Sequence, residues 1–79
     1  MKWQDFIEQR PEIMTGKPVF IGTRLTVESI LERLGDGWSE EDLLKSFPRL
    51  TKQHIQAACA YAAAALSSEL TMLMPEPAK

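Results

Sequence analysis

Cysteine occurs once, at Cys59, and histidine once, at His54. A lone thiol excludes an internal disulfide, and neither residue type has a second copy with which to build a common zinc site. The longest stretch without Asp, Glu, Lys or Arg, Gln53 to Ser68, is largely alanine and too short and weakly apolar to span a bilayer. No leader pattern follows Met1, because Met1-Lys2-Trp3-Gln4-Asp5 opens directly into mixed polar sequence. A nucleophile–base pair is also missing. Asp5, Glu8 and Glu12 recur at the spacing of paired carboxylates, but beside Trp3, Phe6 and Ile7 they read as the wet side of a short amphipathic turn. The expectation is a soluble cytoplasmic protein that is not an enzyme, with no cofactor, metal or membrane association.

At 79 residues the chain is near the size below which one core barely suffices. Extra stability is therefore expected from oligomerisation or a partner. The net charge of −2 conceals an asymmetry. Residues 1–42 hold nine carboxylates against five cations, whereas Leu43 to Ser68 hold Lys45, Arg49 and Lys52 and no carboxylate. An acidic whole argues against an indiscriminate nucleic-acid binder, while the basic part coincides with one structural unit.

The run Gly16-Lys17-Pro18-Val19-Phe20-Ile21-Gly22-Thr23-Arg24-Leu25-Thr26-Val27 stands out. Pro18 restricts the backbone and the two glycines permit turns around the β-prone Val19, Phe20 and Ile21. A strand or hairpin over about 12–25 follows, turning sharply into a helix. A phosphate loop would need lysine after the second glycine, and here it follows the first.

Three helix starts then share one grammar. Thr26 caps a helix over about 27–34 with the stripe Val27, Ile30, Leu31 and Leu34, ended by Gly35 and Gly37. Ser39 caps the second, about 39–46, whose first turn carries Glu40, Glu41 and Asp42. Leu43, Leu44 and Phe47 supply its inner face, and Pro48 stops it. Thr51 caps the third, about 51–68, with the stripe Ile55, Ala58, Cys59, Ala62 and Leu66. Hydrophobic staples bracket each cap: Leu25 with Ile30, Trp38 with Leu43, Leu50 with Ile55. Residues 1–68 thus read as one mainly α domain of three helices behind a short β-element, with 69–79 as a C-terminal tail.

Only Pro48-Arg49-Leu50 separate the last two helices, the length of a helix-turn-helix. In that motif the start of the later helix meets base edges. Thr51, Lys52, Gln53 and Gln56 are the candidates there, with Lys45 and Arg49 on phosphates. Three cations per chain bind weakly, so specific binding to double-stranded operator DNA calls for a dimer. The ordinary reading is a solvated face on a small helical domain.

The third helix also carries Ala57, Ala60, Tyr61, Ala63 and Ala64, apolar nearly all round. Ala57, Ala60 and Ala64 are candidate dimer contacts, as are Val19 and Phe20 of the β-element, and Tyr61 is a candidate partner contact. Beyond it, Leu70, Leu73 and Met74 form an apolar extension suited to a partner. Arg24, at the tip of the β-element, reads as a turn arginine paired with Glu28 at i+4.

The segments Arg10-Pro11-Glu12-Ile13, Gly16 to Val27, Gly37 to Leu44, Phe47 to Thr51 and Ile55 to Ala58 together resemble domain of unknown function 433, a family of small prokaryotic proteins. The resemblance implies a homeodomain-like tri-helical fold. It further implies an antitoxin of a type II toxin–antitoxin module, neutralising a PIN-like ribonuclease and repressing its own operon as a dimer. Only this resemblance implies a partner-binding role for Arg24, as a cation offered to a partner's carboxylates. The chain departs from the family at Arg10 and at Gln53-His54, where acidic residues are usual, and the second departure removes negative charge from the DNA-facing end. The alternative is a dimeric protein–protein interaction module without DNA binding.

Overall fold

A computed structural model describes residues 1–73, with side chains through residue 67. Two short strands, β1 (Ile7–Glu8) and β2 (Val19–Phe20), pair antiparallel with Ile7 opposite Phe20 and Glu8 opposite Val19. Three helices follow: α1 (Val27–Gly35), α2 (Glu40–Ser46) and α3 (Lys52–Leu73). The expected β-element was placed at about 12–25, so β1 lies ahead of it. Trp3–Asp5 form a 3-10 turn and Phe6 leads straight into β1. The segment read as a wet amphipathic turn is instead half of the sheet. Two residues are too short to display the alternation that marks a strand.

β2 is bonded along both edges. Beyond its pairing with β1, the Ile21 N–H donates to Phe6 O at 2.9 Å, the Phe20 N–H to Leu25 O at 3.1 Å, and the Val27 N–H to Pro18 O at 3.0 Å. The chain reverses through Gly22 at φ +81°, in a turn closed by the Thr23 N–H on Phe20 O. Glycine is the residue that tolerates this angle without a Cβ clash. Thr23 Oγ1 donates to the same carbonyl at 2.8 Å and accepts from the Leu25 N–H at 3.0 Å. The Gly-Thr-Arg turn is therefore held by its own hydroxyl.

The helix ends follow the expected chemistry. Thr26 Oγ1 accepts from the Ser29 N–H at 3.1 Å. Ser39 and Asp42 close a reciprocal capping box, each side chain accepting from the other's backbone N–H at 3.0 and 2.9 Å. Those bonds hold the Asp42 carboxyl below its ordinary pKa. α1 terminates through Gly37 at φ +97°, with the Trp38 N–H on Arg33 O and the Gly37 N–H on Leu34 O. That bonding is a Schellman motif, which satisfies carbonyls the helix itself cannot.

Phe20, Ile30, Leu43, Val19 and Val27 are fully buried, joined in the core by Ile7, Leu50, Ile55, Ala57 and Ala58. All six staple residues belong to this core or pack against it. No polar or charged residue is buried among the described residues. α3 turns a different face inward than its predicted stripe. Ile55 and Ala58 are buried, but Cys59 is exposed and Leu66 is 49% exposed, while Ala57 is 0% exposed. The unforeseen N-terminal segment is the cause: Trp3 meets Tyr61 edge-on at 4.9 Å between ring centroids, drawing that side of α3 inward.

Three of the residues expected at a dimer contact, Val19, Phe20 and Ala57, have at most 1% of their surface exposed and lie in this chain's own core. Tyr61 packs on its own chain's Trp3, and its half-buried ring needs no partner to explain it.

Replacing Ile30, which is 0% exposed, by Ala is expected to cost about 2–5 kcal/mol in urea unfolding. Ile21→Ala, at a side chain 47% exposed, is expected to change stability by no more than about 0.5 kcal/mol. Ser39→Ala removes half of the capping box and is expected to cost about 1 kcal/mol.

Candidate functional site

Local sequence explains how the start of α3 is presented. Phe47 ends α2, and the Leu50 N–H closes the connecting turn on Phe47 O at 2.9 Å. Leu50, 5% exposed, anchors that turn in the core. Thr51 then caps α3 in an unusual reciprocal box. The His54 N–H donates to Thr51 O at 3.0 Å and to Thr51 Oγ1 at 3.3 Å, while the Thr51 N–H donates to His54 Nδ1 at 3.1 Å. His54 thus does the work that Glu or Gln does three residues into most capping boxes.

The imidazole is also wedged edge-on between Phe6 and Phe20, at centroid distances of 5.4 and 5.3 Å. A lone histidine near a helix start is by default a solvated side chain, and this ring is not one. The ring joins the cap of α3 to the β-sheet. Burial pushes its pKa below the ordinary value. Because Nδ1 accepts a hydrogen bond, the neutral ring is the form that fits.

With the cap held this way, Lys52, Gln53 and Gln56 are all exposed at the head of α3. The side chain of Lys52 keeps 69% of its surface, and no acid lies in the first turn of α3. Lys45 is exposed in the last turn of α2. Two candidates are already engaged. Thr51 Oγ1 serves the cap, and Arg49 Nη1 donates to Gly22 O at 3.0 Å, tying this turn to the β-element. The fold also brings in an acid that local sequence does not place here, since Glu40 lies 4.0 Å from Lys52 Nζ.

Arg24 is exposed and makes no hydrogen bond or ion pair among the described residues. Its expected i+4 partner Glu28 meets Lys17 Nζ instead, at 3.2 Å. Glu8 and Glu12, raised as paired carboxylates, both face Arg10, at 3.2 and 3.8 Å. Ala60 is half-buried and Ala64 exposed. The side chains of Leu70 and Leu73, and all of Met74, lie outside the described residues. Among the described residues no three His, Cys, Asp or Glu side chains gather as a metal site would, and no helix is long and apolar enough to cross a membrane.

A residue that sequence reasoning missed is Arg33. Its guanidinium lies 5.4 Å from the Trp38 ring and 5.2 Å from Phe47, and Nη1 donates to Ser29 O at 3.1 Å. The contact clamps α1 to both ends of α2 through cation–π attraction. A basic residue in the last turn of α1 reads as dipole complement alone, and nothing local marks its aromatic neighbours.

A family model described as "Protein of unknown function (DUF433)" matches residues 7–62. The crystal structure of a DUF433 member protein from Anabaena variabilis ATCC 29413 superposes with a TM-score of 0.76 at 25% identity. The match covers 82% of this chain and 64% of that one, so the present chain spans just under two thirds of that protein's length. Comparison with curated proteins finds no match.

The His54 box carries a pH dependence. A histidine whose folded pKa is depressed contributes stability that is full above its unfolded value, about 6.5, and is lost as pH falls below it. Urea midpoints measured downward from pH 7.5 are expected to fall through this range. In His54→Gln, whose amide can still accept from Thr51, that slope is expected to flatten.

Proposed function

The chain belongs to the DUF433 family, and from that membership we propose that it is a dimeric DNA-binding antitoxin. In this reading the domain is homeodomain-like, α2 and α3 form the helix-turn-helix, and the head of α3 enters the major groove. One observation carries it: Lys52, Gln53 and Gln56 stand exposed at the start of a helix whose cap is rigidly held and whose first turn lacks acid. Gln can pair with adenine in bidentate fashion, Lys can donate to guanine, and Lys45 supplies a phosphate contact. Arg49, exposed just before α3 and anchored to Gly22, is the further phosphate candidate.

A dimer would place two such helix heads on the half-sites of a palindrome. Ala60 and Ala64, one turn apart on α3, supply the contacts offered to a second copy, since Val19, Phe20 and Ala57 are enclosed in the core. The toxin-directed half of the reading places Arg24 against the metal-holding carboxylates of a PIN-like ribonuclease, with Leu70, Leu73 and Met74 as an additional apolar contact. Support for that half comes from the family resemblance and from the exposed, unpaired state of Arg24 among the described residues.

One observation favours the second reading, a dimeric interaction module with no DNA role. Glu40 draws on Lys52 at 4.0 Å, and the carboxylates of α2 would oppose phosphates approaching that side.

Retention on duplex DNA at low salt, lost as salt rises, is expected of the DNA-binding reading. Converting Lys45, Arg49 and Lys52 to Ala should lower the magnitude of the log–log salt slope by about 2–3 per protomer, with the circular dichroism of the fold unchanged. Absence of retention at low salt, or an unchanged slope in the variant, leaves the interaction module. Co-purification with the product of a neighbouring gene, followed by mass measurement, tests the toxin partner.

A further inference from the structure

Thr23, Arg24, Leu25, Phe47, Pro48 and Arg49 line a cleft of about 390 Å³ between the Gly-Thr-Arg turn and the turn joining α2 to α3. Sequence reasoning sent the two arginines to different tasks, one to a protein partner and the other to phosphates. Folding places both on one concavity. Its lining residues are mainly apolar in exposed surface and include two arginines and no acidic residue. A second groove, of about 430 Å³ between α1 and α3, has the opposite character, with Glu28 and Glu32 among its lining residues. Charge therefore distinguishes the two and assigns the anion to the first.

The arginines are unequally free. Arg49 is oriented by the bond from Nη1 to Gly22 O, which leaves its remaining N–H groups available. Arg24 is exposed and engages nothing among the described residues. Between them Leu25, Phe47 and Pro48 make an apolar floor, and the first two are only half-buried. A ligand that matches this lining needs an anionic head and an apolar body. A phosphodiester chain tracking across a basic rim would leave the floor unused. A carboxylate side chain next to an apolar one uses both, because guanidinium groups hold carboxylates through paired, charge-assisted hydrogen bonds.

We propose that the Arg24–Arg49 cleft is a docking site for an acidic-apolar segment of a partner protein, its carboxylate held by the two guanidinium groups and its neighbouring apolar side chain lying on Leu25, Phe47 and Pro48. The site shares with the antitoxin reading the idea of a protein partner, and of its two arginines Arg24 has no part in the DNA reading.

The test titrates the blocked dipeptide N-acetyl-leucyl-glutamate amide into the ¹⁵N-labelled full chain at millimolar concentrations. Saturable amide shifts confined to Thr23, Arg24, Leu25, Phe47 and Arg49 are expected, with a far weaker response to the leucyl-glutamine analogue. Arg24→Gln, which removes no contact of the fold, is expected to weaken the dipeptide about tenfold. It should leave retention on duplex DNA unchanged, so that a failure of the DNA reading and a failure of this one are told apart. Scattered shifts, or equal responses to the Glu and Gln dipeptides, overturn the proposal. So does dimethyl phosphate shifting the same amides more strongly than the dipeptide, an outcome that hands the cleft to nucleic acid.

Discussion

The burial of β2 is the constraint on which the remaining structure depends. Val19 and Phe20 are two residues long as a strand, yet both edges are bonded and both side chains are enclosed. One edge captures β1 and so fixes the N-terminal segment whose Trp3 sets the face of α3 that turns inward. The other edge captures Leu25 and Val27 and so fixes where α1 begins. The Phe20 ring then supports His54, which caps α3. A two-strand sheet is marginal alone in water, and here three helices bury it.

This arrangement couples distant parts of a small domain through few contacts. Arg49 bonds the turn before α3 to Gly22 in the turn after β2, so the connection between α2 and α3 and the Gly-Thr-Arg turn are joined. Arg33, between Trp38 and Phe47, ties α1 to α2 in the same manner. The two arginine contacts serve the fold while leaving Arg24 and the head of α3 to solvent.

Electrostatics cut both ways at the head of α3. Its own first turn is free of acids, but α2 begins with three, and Glu40 reaches Lys52 across the turn. Exposed pairs of this kind are worth little to stability and are screened by salt. Their consequence is for the local field, which the carboxylates of α2 make less positive than the sequence of α3 alone implies.

The three helices, their caps at Thr26, Ser39 and Thr51, and the turns at Gly16, Gly22 and Gly37 were legible in the sequence. Each rests on chemistry between residues at most a few positions apart, such as a hydroxyl meeting an N–H three residues on. The exposed candidates Lys45, Lys52, Gln53 and Gln56 were legible for the same reason, since they follow from helix phase and cap position. What tertiary structure alone decided is which apolar face of α3 is buried, because an alanine-rich helix offers several equivalent faces and only Trp3 and β1 choose among them. It also decided the placement of His54 between two phenyl rings, the Glu40–Lys52 approach and the union of Arg24 with Arg49 on one cleft. Those contacts join residues 12 or more positions apart, and no local periodicity encodes a meeting that only the packed chain brings about.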